Sequence, residues 1–176
     1  ASGSINVSVN DSLVYQSMSG FGAAFTVSSS SLLQQLKGYS PTAYSTLMSQ
    51  LFGSSGANFS FWRVPMTSTD FNSTNTTWTD DDTAGPSGNP DQYFSLYADE
   101  TNLMLPTIKD AKALNSNLQL VASPWSAPAW MKSNGSMFGS TSGTNGTLLT
   151  ADYQAWADYF RDWLQAYQSN GGPVGY

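Results

Sequence analysis

Two tryptophans in a proline-containing segment form the most distinctive candidate binding site of this sequence. Residues 118–135 read LQLVASPWSAPAWMKSNG, so a short apolar strand runs directly into Pro124 and Trp125. Pro124 must end the strand because proline has no N–H to donate to a neighbouring strand. Pro128 then stiffens the loop that carries Trp130. We therefore expect both indole rings on a rigid surface at a strand end, where a flat ring can stack on a sugar.

Each tryptophan also has a structural interpretation, because tryptophans are commonly core residues whose N–H has found a partner. For Trp130 the binding and structural interpretations both stay open. For Trp125 we favour binding, since an indole that follows Ser-Pro at a strand end points out of the sheet.

The charged candidates follow an earlier apolar strand. Arg63 lies near the end of that strand, where a guanidinium is costly unless it meets a carboxylate. We expect an ion pair there, either purely structural or one that orients an active-site carboxylate. Asp70 comes shortly after the same strand and could accept hydrogen bonds from sugar hydroxyls, although a loop aspartate is often a turn or cap residue. The three aspartates at 80–82 are expected to form a solvated run.

The composition excludes several kinds of chemistry. The 176 residues contain no Cys and no His, which rules out a thiolate nucleophile, a Ser-His-Asp triad and an imidazole-held zinc within this chain. Catalysis would have to rest on carboxylates, and no metal or cofactor is predicted. Six basic residues against twelve acidic ones give a net charge of -6, which opposes binding to nucleic acid.

The sequence also suggests where the protein acts. Chance predicts about three Asn-X-Ser/Thr sequons for this composition, so their excess indicates a secreted glycoprotein. No apolar run approaches the roughly 18 residues of a membrane span, and we expect that any leader peptide has been removed. The candidate glycosylation sites are Asn6, Asn10, Asn58, Asn72, Asn75, Asn134 and Asn145.

Strands and helices alternate along the chain, which predicts a parallel sheet or barrel with right-handed crossovers. A polar segment at 67–89 is long enough to be functional or disordered. Pro106 should mark the start of a helix or a kink within it. The last helix should carry a buried aromatic stripe, begin with a Thr150 cap and end at Asn170-Gly171. The expected elements are an edge hairpin at 5–15, strands at 20–25, 58–66 and 118–122, and helices at 41–52, 99–114 and 150–169.

Three motifs, in this order, resemble glycoside hydrolase family 30. They are GFGAAFT at 20–26, RVPMTSTDF at 63–71 and ASPWSAPAWMK at 122–132. The family includes glucosylceramidases, endo-β-1,6-glucanases and several xylanases, built on a (β/α)8 barrel with a β-rich side domain. The resemblance implies that Asp70 and Trp125 bind the sugar whose bond is broken and that Arg63 supports the nucleophile.

The resemblance also implies a division of the chain. The fold class would be α/β, with residues 1–18 adding strands to the side domain. Residues 19–176 would form the first three βα units of a (β/α)8 TIM barrel and reach the start of its fourth strand. In place of the Thr-Asp pair often seen after the first motif, this chain has Thr-Val-Ser at 26–28.

The two catalytic glutamates of the family, one in an Asn-Glu-Pro motif and one after the seventh strand, have no counterpart here. Glu100 is the single glutamate, and we expect it to complement a helix dipole. No catalytic residue is therefore predicted in this chain, and activity would need the missing C-terminal portion.

The sequence thus predicts part of a secreted, retaining β-glycosidase whose two glutamates lie outside this chain. The segment 125–132 is most similar to fungal endo-β-1,6-glucanases, and the small polar residues at 134–147 favour an open β-glucan groove over an apolar mouth for ceramide. The alternatives are a xylanase, a glucosylceramidase, a carbohydrate-binding module with Trp125 and Trp130 as its platform, or a structural cell-surface glycoprotein. Because three strands leave open edges, we expect a second polypeptide, or the rest of a longer chain, to complete the barrel.

Overall fold

The extended segments lie side by side in the same order as they follow along the chain. The computed structural model describes residues 3–72, 74, 76–141, 143–172 and 174–175. Strand β1 (Phe61–Pro65) pairs in parallel with β2 (Gln119–Ser123). Ala24 forms a parallel bridge to Arg63 on the outer side of β1. On the outer side of β2, the Gly175 N–H donates to the Leu120 carbonyl at 3.0 Å. Three successive parallel segments, with helices between them, are the start of a barrel or an open α/β sheet.

Helices fill each connection between these segments, as the alternation predicts. Two helices precede β1, a helix with a wide first turn joins β1 to β2, and the longest helix follows β2. Short 3₁₀ turns and a small antiparallel hairpin occupy the loop after β2. The bounds are α1 Val27–Tyr39, α2 Pro41–Phe52, a π-helical turn Glu100–Met104, α3 Leu105–Leu114, 3₁₀ turns Ala129–Met131 and Thr150–Asp152, β3 Ser140–Thr141, β4 Thr144–Asn145 and α4 Tyr153–Ser169.

Capping residues explain why most helices begin and end where they do. The Ser40 hydroxyl accepts from the Ala43 N–H at 3.4 Å, so α2 begins at Pro41 as predicted. Helix α4 ends where the sequence predicts. Its end is a Schellman motif, in which Gly171 has φ 76° and the Gly172 N–H donates to the Tyr167 carbonyl at 2.8 Å. Its beginning differs from the Thr150 cap that the sequence suggested, because a 3₁₀ turn over Thr150–Asp152 precedes it.

Helix α1 was not predicted, because its first turn is a run of serines with no apolar face. Thr26 caps it by accepting from the Ser29 N–H at 3.1 Å. Pro106 lies in the first turn of α3, which is one of the two positions expected for it. The turn before it is wide, because the Leu105 N–H donates to the Glu100 carbonyl, five residues back, just before the proline that cannot donate.

The core lies between the sheet and the helices. Trp62 and Val64 of β1 and Leu120 of β2 are buried on this face, and Trp62 stacks on Phe25 with ring centroids 4.0 Å apart. On the opposite face Arg63 is only half-buried. Within the described residues, only the face of β1 that carries Trp62 and Val64 is fully covered.

The edge hairpin expected at 5–15 is not formed. Ile5, Val7 and Val9 are 81–90% exposed, and no strand occurs between residues 3 and 18. An isolated two-stranded hairpin is marginally stable unless its apolar face is covered, and none of the described elements covers this one. None of the helices in the described part of the chain is long and apolar enough to cross a membrane.

Candidate functional site

Trp125 lies at the carboxyl ends of both strands. Its backbone N–H donates to the Thr67 hydroxyl at 3.1 Å, which ties the loop after β2 to the loop after β1. The Trp125 side chain remains 48% exposed. A half-exposed indole whose backbone is fixed in this way can receive a flat ligand without prior rearrangement.

Arg63 is held beside this tryptophan. Its Nη2 donates to the Ser123 hydroxyl at 3.2 Å, and its guanidinium carbon lies 5.9 Å from the centroid of the Trp125 ring. No carboxylate forms an ion pair with Arg63 among the described residues, so the ion pair expected from the sequence is not found there. The reason is that Arg63 lies on the incompletely covered face of β1, where its charge is not fully desolvated.

Asp70 shares a polar cleft with Trp125. The Asp70 carboxylate is exposed at the edge of this cleft, which has a volume of about 390 Å³. Hydroxyl and amide side chains form most of its walls, which suits a ligand with many hydroxyl groups. The lining residues are Ser68, Thr69, Asp70, Asn72, Thr74, Thr76, Thr77, Trp125, Ser126, Met137, Phe138 and Gly139.

A second hollow lies on the other side of Trp125. It has a volume of about 320 Å³ and is lined by Arg63 together with apolar residues such as Phe25, Pro65 and Phe71. Trp125 and Thr69 line both spaces. The structure therefore brings Trp125 next to both charged candidates, whereas Arg63 and Asp70 line different spaces.

The loop after β1 is ordered by a buried tryptophan. Trp78 is 2% exposed and stacks on Tyr97, with ring centroids 4.4 Å apart. The Ser68 N–H donates to the Trp78 carbonyl at 3.0 Å, and the Trp78 N–H donates to the Ser68 hydroxyl at 2.9 Å. These bonds fold the loop back on itself, so that it forms one wall of the polar cleft.

The three aspartates at 80–82 are not a solvated run. Asp80 and Asp81 are 3% and 1% exposed, whereas Asp82 is exposed. Asp80 accepts hydrogen bonds from the Tyr97 N–H at 2.7 Å and the Tyr159 hydroxyl at 2.9 Å. Burial raises the pKa of Asp80 to about 6 and that of Asp81 to about 7. The sequence suggested solvation because a run of charges is typical of an exposed surface. The burial observed here depends on contacts with α4, which lies far away in the chain.

Glu100 is also buried, so the helix-dipole role expected for it is wrong. Its Oε1 accepts from the Trp163 indole at 2.9 Å and the Tyr167 hydroxyl at 3.1 Å, and the residue is fully inaccessible. Burial, and next the charge of Asp80, raise the pKa of Glu100 well above its ordinary value. An acid closed off from solvent in this way cannot contact a substrate.

Oε2 of Glu100 meets no N–H or O–H donor among the described residues. Burial and the nearby charge of Asp80 both favour the protonated form of the Glu100 carboxyl group. The sequence carried a signal for buried acceptors: the stripe of α4 places Tyr159, Trp163 and Tyr167 at four-residue spacing, and buried hydroxyl and indole donors need acceptors.

Trp130 is structural. Its indole N–H donates to the Asp81 carbonyl at 2.7 Å, and its ring packs against the small cluster of Ala127, Met131 and Ala155. The structural interpretation of Trp130 therefore holds, and the two tryptophans do not form a common platform.

The sequons differ in accessibility. Asn6, Asn10, Asn58 and Asn145 are exposed, whereas Asn72 and Asn134 are half-buried. Three of these side chains form hydrogen bonds: Asn58 accepts from the Asn115 amide at 3.0 Å, Asn72 donates to the Thr76 carbonyl at 2.6 Å and Asn134 donates to the Phe138 carbonyl at 3.0 Å. Asn75 lies outside the described residues. Glycosylation at each position stays a prediction. Within the described part of the chain, no three acidic side chains come together in a way that could hold a metal ion.

Comparison with known proteins shows one family. The model of the glycosyl hydrolase family 30 TIM-barrel domain matches residues 18–173. An endo-1,6-β-D-glucanase of Trichoderma harzianum is 36% identical over 177 residues, covering 96% of this chain and 35% of the relative. The lysosomal acid glucosylceramidase of Mus musculus is 34% identical over 160 residues, covering 89% and 29%.

A solved structure of an endo-β1,6-glucanase superposes with a TM-score of 0.78 at 32% identity, covering 94% of this chain and 35% of that one. The chain thus spans about a third of the length of the proteins it matches. The α/β fold class and its assignment to a TIM barrel are confirmed.

Proposed function

The chain belongs to glycosyl hydrolase family 30, and we propose that it is the N-terminal, sugar-binding part of a secreted retaining glycosidase that cleaves internal bonds of β-1,6-glucan. One observation supports this proposal most strongly. Trp125 and Asp70 line the same polar cleft at the carboxyl ends of neighbouring parallel strands. In (β/α)8 enzymes this end of the barrel carries the active site.

Each residue has a distinct role in the proposal. The face of Trp125 stacks on the sugar ring, and the Asp70 carboxylate accepts hydrogen bonds from two of its hydroxyls. Arg63, beside the indole, keeps Trp125 in position and presents its remaining N–H groups to an incoming carboxylate. That carboxylate would be the nucleophile, supplied by a part of the enzyme outside this chain.

The retaining mechanism needs two carboxyl groups about 5 Å apart. One attacks the anomeric carbon while the other protonates the leaving oxygen, and the second then activates the water that hydrolyses the glycosyl-enzyme. Residues of this chain contribute by orienting the sugar, since interactions that strengthen in the transition state raise the rate.

The polar cleft supports a glucan substrate over a ceramide. Eight of its twelve lining residues carry a hydroxyl, amide or carboxylate group that can bind sugar hydroxyls. The relatives include a glucanase and a glucosylceramidase at nearly equal identity, so the proposal rests on these cleft residues rather than on identity.

Secretion is proposed on the sequons. The first 18 residues are proposed to join a side domain, and later strands of the same or a second polypeptide are proposed to close the barrel.

The full-length enzyme should be assayed on a linear β-1,6-glucan, a glucuronoxylan and a glucosylceramide. We expect Trp125→Ala and Asp70→Asn to lower kcat/KM by roughly a hundredfold or more, with unchanged melting temperatures. Tyr39→Ala, which removes a 91% exposed ring at the end of α1, is the matched control. An untouched β-1,6-glucan beside a cleaved rival substrate would refute the glucanase assignment, and normal kinetics of Asp70→Asn would refute its role.

A further inference from the structure

Phe138 is an exposed aromatic residue whose main-chain N–H and carbonyl are both hydrogen-bonded. The residue is 62% exposed, and its N–H donates to the Ser136 hydroxyl at 3.1 Å. Its carbonyl accepts from the Asn134 amide at 3.0 Å and from Lys132 Nζ at 3.4 Å. These bonds fix the main chain at the point where the ring is exposed.

Lys132 joins this tip to the tryptophan loop. Its ammonium group donates to the Met137 carbonyl at 3.1 Å, beside the bond to Phe138, and to the Ser126 hydroxyl at 3.2 Å. Ser126 directly follows Trp125 in the chain. One side chain therefore sets the position of Phe138 relative to Trp125.

The two exposed rings line one cleft. Trp125 and Phe138 both border the polar space of about 390 Å³, together with Asp70 and the threonines at 74 and 76. Single exposed apolar side chains need no explanation. Two rings fixed in position on one hydroxyl-lined cleft, however, match a ligand with apolar ring faces and many hydroxyls, which is the chemistry of linked hexopyranoses.

We propose that Phe138 is a second stacking platform, which binds the sugar unit next to the one held by Trp125. The inference rests on the proposed function in that it takes a β-linked oligosaccharide as the ligand. It adds a residue that selects for substrate length, because a single sugar unit would occupy only the Trp125 side of the cleft.

The test is a series of linear oligosaccharides of increasing length, made from the β-1,6-glucan or the glucuronoxylan, whichever of these two polymers the full-length enzyme cleaves. For the wild type, kcat/KM should rise stepwise when the added sugar unit reaches Phe138. Phe138→Ala should remove this step in kcat/KM, a loss on the order of three- to tenfold, whereas Phe138→Trp should restore it. The shortest substrate should be cleaved equally by all three proteins.

Lys132→Met should reduce the same step, and adding it to Phe138→Ala should cause no further loss. Tyr39→Ala is again the control, and melting temperatures check the fold. An identical length dependence for wild type and Phe138→Ala overturns the inference. Failure to cleave β-1,6-glucosides rejects the glucanase proposal instead, while a series made from a cleaved glucuronoxylan still tests the platform. Cleavage of the glucosylceramide alone overturns both proposals.

Discussion

Replacing Glu100 by glutamine tests whether this buried carboxyl group carries a proton in the folded protein. It is fully buried, accepts from Trp163 and Tyr167, and lies close enough to Asp80 for that charge to raise its pKa further. Glutamine keeps an oxygen acceptor for the two donors and is uncharged, like a protonated carboxyl group. We therefore expect Glu100→Gln to fold like the wild type.

Alanine at the same position should behave very differently. It leaves the indole N–H of Trp163 and the hydroxyl of Tyr167 without their acceptor, at about 1–3 kcal/mol each. The lost volume adds a cavity cost. The expected loss in the free energy of unfolding is on the order of 4 kcal/mol or more.

The pH dependence of the free energy of unfolding tests in a second way whether Glu100 is protonated in the folded protein. The pKa of Glu100 is raised in the folded state, so as pH rises above about 4.3 the unfolded chain releases its proton first. The stability linked to this proton is fully present below that pH and is lost by up to about 1.4 kcal/mol per pH unit until the folded-state pKa is reached. Glutamine carries no such proton, so the stability of Glu100→Gln relative to wild type should increase with pH.

The measurement is thermal unfolding of the full-length enzyme and both variants between pH 4 and pH 7.5. Asp152→Asn removes a carboxylate that caps no N–H at the start of α4 and serves as the control. If Glu100→Gln loses as much stability as Glu100→Ala at every pH, the Glu100 carboxyl group is ionised in the folded protein and the reasoning is refuted.

Two further predictions concern the sheet and its cleft. A Cβ on Gly22 would overlap the Phe61 carbonyl oxygen, so Gly22→Ala should detach the first extended segment from β1 and sharply lower the melting temperature. Gly38→Ala, whose Cβ would meet nothing within 4 Å, should leave the melting temperature unchanged. Equal melting temperatures for the two variants would contradict the pairing. Arg63→Lys keeps the charge but loses the planar contact with the Trp125 indole. We therefore expect a lower kcat/KM at a near-normal melting temperature. A large drop in the melting temperature would instead reveal a buried ion pair.

Local signals predicted much of the architecture. Pro41 after Ser40, and Gly171 after the aromatic stripe, fix helix ends through backbone hydrogen bonds that involve only nearby residues. Pro124 ends β2 for the same kind of reason, and Trp125 lies where that ending predicts. Helix α1 was missed because its serines give no apolar periodicity, and tertiary packing rather than propensity stabilises it.

The sequence by itself determined the order of strands and helices, the family motifs and the position of Trp125 at a strand end, because each depends on residues close together in the chain. Only the tertiary structure decided which polar groups are buried. Asp80 and Glu100 read as solvated and dipole-facing residues, yet both meet α4 some 60 to 80 residues later in the chain. Trp130 likewise found its partner in Asp81, 49 residues earlier. Burial and pKa depend on which distant segments pack together, and no local pattern encodes that choice.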